Sequence, residues 1–123
     1  MIIKESAEDY LEAIFTIKKS KGSVRSIDVA NELNVSKPSV SVAMKNFREE
    51  GYVTVDEGGF LDLTEKGLII ATKVYERHLI IAKALMLLGV SESVAYEDSC
   101  KIEHCISNES FERLKDFLNK QSN

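Results

Sequence analysis

The chain has 123 residues, of which 44% are hydrophobic and 29% charged, with a net charge of −4. That balance is ordinary for a folded chain and excludes a disordered or low-complexity polymer. No apolar run reaches the roughly 20 residues of a membrane span, and "MIIKESAEDY" lacks the apolar core of a secretory leader, so a cytoplasmic protein with no membrane partner is expected.

Residues 5–20, "ESAEDYLEAIFTIKKS", predict an amphipathic helix. Ala7, Tyr10, Leu11, Ile14 and Ile17 repeat at the helical period, and Asp9 and Glu12 fall on the opposite face, about 60° from each other. "KGS" at 21–23 ends it. "SIDVANEL" (26–33) predicts a second helix with Ser26 as N-cap and Ile27, Ala30 and Leu33 inward. After the turn "NVS", Ser36 caps a third helix, with Pro38 in its first turn, where a missing N–H costs nothing. That helix buries Val40, Met44 and Phe47 and ends at Gly51. "YVTV" (52–55) and "FLDL" (60–63) flank "DEGG" and predict a hairpin with an acidic tip, Asp56 and Glu57. Three helices follow. One runs over about 65–88, from Thr64 to Gly89, and one from Ser91 to about 105. The last is amphipathic, capped by Ser107 or Asn108, with Phe111, Leu114, Phe117 and Leu118 on its apolar side. The fold class is mainly α with a small β-hairpin.

Two short helices joined by a tight turn and followed by a hairpin form the winged helix–turn–helix arrangement. Charge points the same way. Residues 16–48 hold seven basic and two acidic residues, a net of +5, which leaves −9 for the rest of the chain. A basic segment on an acidic protein suits one face that meets a polyanion. Ser36, Lys37, Ser39 and Ser41, around Pro38, stand where a recognition helix meets phosphates and base edges. Arg25, Lys45 and Arg48 are candidates for contacts to the DNA backbone. The same fold also serves protein contacts, and the acidic hairpin tip should not lie against phosphates. One such motif reads only one half-site, so a homodimer on a palindromic operator is expected.

"SCKIEHCIS" (99–107) holds both cysteines and one of the two histidines of the chain. On a helix, Cys100 and Cys105 are about 8 Å apart, beyond the roughly 7 Å reach of a disulfide, and read as reduced thiols. Cys100, Glu103 and His104 share about 100° of one helix face, and a thiolate, a carboxylate and an imidazole are ligand types for a first-row divalent metal. His78 lies on the apolar stripe of the long helix, between Val74, Tyr75, Ile81, Ala82 and Leu85, where a histidine also serves as an ordinary core residue. Asp9 and Glu12 taken alone are solvated charges.

The stretches "EDYLEAIF", "SIDVANELNVSKPSVS", "LTEKGLIIATKVYERHLIIAKAL" and "CKIEHCIS" together resemble the DtxR/MntR family of metal-dependent repressors, over residues 5–120. The resemblance implies a winged helix–turn–helix DNA-binding domain over 1–70 and a helical dimerisation and metal-sensing domain over 71–123. It implies the short, manganese-type architecture without an SH3-like domain. Its metal ligands carry over as Asp9, Glu12, His78, Cys100, Glu103 and His104. Position 9 holds Asp, as in manganese-type members, where iron-type members have Met. Position 100 holds Cys, as in the iron type, where the manganese type has Glu. The chain is a hybrid, for which Fe(II) or Mn(II), one or two ions per subunit, is the expected cofactor. Cys105 has no role in the family pattern and reads as packing.

The function so implied is metal-dependent repression of metal-uptake genes by DNA binding. A winged-helix regulator that senses an oxidant or an organic ligand through Cys100 is the alternative. A metalloenzyme is disfavoured, since no general base, nucleophile or substrate pocket is legible beyond the ligands, and a helical protein–protein adaptor would not bind DNA at all.

Overall fold

A computed structural model describes residues 5–121. The element order is α1 (Glu5–Lys21), α2 (Ser26–Leu33), α3 (Lys37–Glu49), β1 (Val53–Val55), β2 (Leu61–Leu63), α4 (Glu65–Leu87), α5 (Glu92–Ile102) and α6 (Asn108–Gln121). The backbone divides into two compact units, one through Thr72 and one from Lys73. This is a winged helix–turn–helix followed by a helical unit.

In the first unit Leu11, Ile14, Ile17, Val24, Val29, Val40, Met44, Phe47, Tyr52, Val53 and Leu61 form the core. Edge-to-face contacts of Phe47 with Tyr10 and with Tyr52, at 6.0 and 6.5 Å between centroids, tie α3 to α1 and to the start of the hairpin. Ser36 caps α3, its Oγ accepting from Ser39 N–H at 3.2 Å. Beyond α3, Gly51 N–H donates to Arg48 O and Tyr52 N–H to Phe47 O, the pair of bonds that closes a helix around a left-handed glycine, here at φ +82°. Asn34, at φ 55°, makes the equivalent left-handed turn between α2 and α3.

The α2 cap differs from expectation. Arg25 occupies the N-cap, and the Asp28 carboxylate accepts its backbone N–H at 2.9 Å. Ile27, expected inward, is 39% exposed, while Val29 is fully buried. The two lie about 200° apart around the helix, so burying Val29 with Ala30 turns Ile27 outward.

β1 and β2 pair antiparallel, Val53 with Leu63 and Val55 with Leu61. Each strand is shorter than its apolar run. Tyr52 spends its N–H on the end of α3, and Phe60 donates its N–H to Asp56 Oδ1 inside the tip. Leu61 N–H donates to Val24 O at 2.8 Å, and Arg25 bridges to Phe60, which extends the wing toward the start of α2. Thr64 caps α4, with Gly67 N–H donating to its Oγ1 at 3.2 Å. A Cβ on Gly67 would stand 2.2 Å from Tyr52 O, so this close approach of backbones admits only glycine.

In the second unit Val74, Ile81, Ala82, Ala95 and Phe111 are buried. Helix α5 ends at Ile102 rather than near 105. Glu103 keeps right-handed helical angles (φ −57°, ψ −25°), and the chain then turns into α6, where Ser107 Oγ accepts from Ser110 N–H. Two packing expectations fail here. Phe117 is 52% exposed, and Cys105, which lies past the helix end, is exposed rather than packed.

Candidate nucleic-acid interface and metal centre

Arg25, Ser36, Lys37, Pro38, Ser39, Ser41, Lys45 and Arg48 are all exposed in the first unit. Lys37, Ser41, Lys45 and Arg48 recur at intervals of four, four and three, which sets them along one stripe of α3. Among the described residues, Lys37, Lys45 and Arg48 form no ion pair, whereas Lys18 is bound to Asp62 at 2.7 Å and Lys21 to Asp28 at 3.0 Å. Two cations of the basic segment are therefore neutralised inside the fold, and the unpaired ones concentrate on α3. Each partner carboxyl is held below its ordinary value. For Asp28 the main cause is the Arg25 backbone N–H, followed by Lys21; for Asp62 it is the hydrogen bond from Lys18. Arg25 lays its guanidinium over the Phe60 ring at 4.2 Å, beside the wing. Ser36 Oγ lies 2.8 Å from Ser39 Oγ, so the first turn of α3 presents a hydroxyl pair that is already ordered.

The second unit brings together four residues with metal-ligand chemistry. His78 Nδ1 lies 2.8 Å from Glu103 Oε2 and 3.8 Å from Cys100 Sγ. His104 Nε2 lies 3.4 Å from Glu103 Oε1. The Glu103 and His104 side chains are 1% and 2% exposed, and that of His78 is 19% exposed. Asp9 and Glu12 stand in the first unit, three residues apart on α1 and half-buried.

Two residues that the sequence pattern did not single out fix this cluster. Ser99, fully buried, donates its hydroxyl to His78 O at 2.7 Å and places Oγ 2.9 Å from His78 Nδ1. Arg77 donates from Nη1 to the carbonyls of Glu103 and Ile106 and from Nη2 to Asn108 Oδ1, with its guanidinium 5.4 Å from the Phe111 ring centre. One signal existed for Ser99. It follows Ala95 by four residues on the buried side of α5, an inward place for a hydroxyl that demands a partner.

The donors fit a divalent cation. Two ligands on one first-row ion, each about 2.0–2.3 Å from it, lie about 2.8–4.5 Å apart, which spans all three separations above. Glu103 Oε1 is buried without a hydrogen bond among the described residues. A carboxylate oxygen out of water needs a cation or a donor, and a metal provides the first. The mixed oxygen, nitrogen and sulfur set suits Fe(II), Mn(II) or their neighbours rather than Ca(II) or Mg(II).

Two family models match the chain. Residues 3–59 match the family described as iron dependent repressor, N-terminal DNA binding domain, and residues 64–123 match its metal binding and dimerisation domain. An uncharacterized HTH-type transcriptional regulator of Methanocaldococcus jannaschii is 37% identical over 120 residues, covering 96% of each chain. The HTH-type transcriptional regulator MntR of Listeria monocytogenes is 34% identical over 113 residues, covering 92% of this chain and 80% of that protein. Among solved structures, the manganese regulator SloR superposes with a TM-score of 0.79 at 32% identity, covering 97% of this chain. This chain spans about half of SloR, 55% of its length. A manganese-dependent transcriptional repressor in complex with manganese gives a TM-score of 0.83 at 27% identity, covering 92% of this chain and 52% of that one. These matches favour the metal-dependent reading over an oxidant or organic-ligand sensor, and the relatives are transcriptional regulators rather than enzymes. The chain belongs to the iron-dependent repressor family, the DtxR/MntR group of metal-dependent transcriptional repressors.

Proposed function

We propose that this protein represses metal-uptake genes in the cytoplasm, as a homodimer on a palindromic operator, when Fe(II) or Mn(II) is abundant. Residues 1–70 act as the DNA-binding domain and 71–123 as the dimerising and metal-sensing domain. Asp9, Glu12, His78, Cys100, Glu103 and His104 would hold one or two divalent ions per subunit. A bound ion would supply positive charge to offset the carboxylates, and a thiolate, among these residues. The observation that carries this is the buried Glu103 carboxylate, with one oxygen on His78 and the other facing His104 without a hydrogen bond.

The chain's own residues do the rest. With an ion bound, Asp9 and Glu12 would link α1 of the DNA-binding domain to the ligands of the second domain and so would restrict where the recognition helices stand. Each domain then has fewer arrangements to lose on meeting DNA, and metal and operator strengthen each other's binding reciprocally. The cations of α3 and Arg25 position the protein on phosphates, and Ser39 reaches base edges.

The test is a DNA-binding titration with Mn(II), Fe(II), Zn(II) and chelator, on duplexes selected from a random library. Binding should appear with Mn(II) or Fe(II) and vanish with chelator. His78→Ala, Glu103→Ala and His104→Ala should each abolish metal-dependent DNA binding while circular dichroism shows the helices retained. Metal-dependent binding that survives in the triple variant refutes the site.

A further inference from the structure

We infer that Val42 reads a thymine methyl group in the major groove, and so selects an A·T pair in each operator half-site. This rests on the DNA-binding reading above. The observation is a misplaced hydrophobe. Val42 is 62% exposed in the middle of α3, whereas Val40, Met44 and Phe47 on the same helix are at most 5% exposed. Val42 lies about 200° from Val40, on the far side of the helix from the core. Folding gains nothing from a branched aliphatic there, because β-branched residues are poorer helix formers than alanine and exposed methyls face water.

The surroundings name the occupant. The stripe of Lys37, Ser41, Lys45 and Arg48 runs along one side of Val42, and Ser39 lies on the other. Those lysines and that arginine are free of intramolecular carboxylates among the described residues, so the face complements a polyanion. With one flank on phosphates, the line between the cations and Ser39 faces the base edges. Thymine alone among the four bases offers a methyl group in the major groove. A valine there rewards that methyl, and it leaves the polar edges of guanine or cytosine without a partner.

The experiment uses the full-length protein loaded with Mn(II). Duplexes are first selected from a random library, and each thymine of the selected site is then replaced in turn by deoxyuridine, which removes only the methyl. At one position per half-site the wild type should lose about three- to fivefold in affinity. Val42→Ala should bind the thymine duplex more weakly and show no further loss with uracil. Lys37→Ala should weaken thymine and uracil duplexes equally. If Val42→Ala keeps the wild-type sensitivity to uracil, or the wild type ignores uracil everywhere, Val42 does not read the methyl although the protein binds DNA. If Val42→Ala instead changes the sedimentation of the protein and leaves sequence preference unmoved, the side chain belongs to a protein interface and the inference is wrong. A wild type that binds no duplex with any metal removes the DNA-binding reading itself.

Discussion

Arg77 holds the backbone of Glu103. Its Nη1 donates to the Glu103 carbonyl at 3.3 Å and to the Ile106 carbonyl at 2.9 Å, so a side chain from α4 fastens the turn that carries the buried carboxylate. Arg77→Ala should cost about 2–3 kcal/mol, because it leaves two carbonyls and the Asn108 amide oxygen without their donor. Arg77→Lys should recover only part of this, since one ammonium lacks the guanidinium fork. Urea denaturation of both variants provides the check. A loss under 0.5 kcal/mol, roughly that of an ordinary surface substitution, would show that the turn holds itself.

Cys100 should tune which metal activates the protein. Its sulfur lies 3.8 Å from His78 Nδ1, and a thiolate is a softer donor than a carboxylate. Cys100→Ser should weaken activation by Fe(II) more than by Mn(II), and Cys100→Glu should shift activation toward Mn(II). Anaerobic DNA-binding titrations with each metal measure this. Unchanged midpoints in Cys100→Ser would take the thiol out of the ligand set.

Arg25→Ala and Lys37→Ala should each lower the slope of log affinity against log salt by about one unit per half-site contact, with little change in sequence preference. The measurement is fluorescence anisotropy between low and physiological salt. The same substitution at Lys18 should alter the slope less, because Lys18 is already committed to Asp62. Equal slopes for wild type, Arg25→Ala and Lys37→Ala would put the DNA on another face.

Gly67→Ala should destabilise the first unit by about 3 kcal/mol, since a Cβ would meet Tyr52 O at 2.2 Å and one of two backbones must move. Thermal unfolding followed by circular dichroism would register this as a clear drop in Tm. Exposed Gly22, where a Cβ meets nothing within 4 Å, is the comparison, and its cost is limited to its positive φ.

Stability should fall in acid partly through Asp28. Its folded-state pKa lies below the ordinary 3.8 because the charged form accepts the Arg25 N–H and pairs with Lys21. A depressed carboxyl contributes stability that is fully present above the unfolded value and is lost as pH falls through the folded one. Asp28→Asn should therefore be less stable than wild type at pH 7, by about 1 kcal/mol. The difference should shrink once the pH drops below 3.8. A gap that stays constant down to the acid transition would mean that the charge of Asp28 plays no part.

Regular elements were legible because their signals are periodic and local. The stripe of Leu11, Ile14 and Ile17, the Ser36 cap and Gly51 each show within a few residues. The phase of α2 is ambiguous in the sequence because Ile27 and Val29 are equally apolar, and only the packing of Val29 decides between them. The cluster around Glu103 was legible in its ligand types but not in its supports. Ser99 reaches His78 across 21 residues and Arg77 reaches Ile106 across 29, and such bonds leave no mark in spacing. Nor does composition reveal that Lys18 and Lys21 are already paired.

The acidic hairpin tip has a consequence for how the protein searches a genome. Asp56 is committed to its own turn, accepting from Gly58 and Phe60 N–H at 2.9 Å each, while Glu57 is left exposed beside it. Binding to arbitrary DNA is almost wholly phosphate attraction, so negative charge on the wing lowers it, and a site that is also held by base contacts keeps a useful affinity after the same loss. A penalty common to both lowers total affinity and leaves the ratio of specific to non-specific affinity where it was. A repressor with such a wing dwells more briefly on each stretch of wrong sequence and returns sooner to the search.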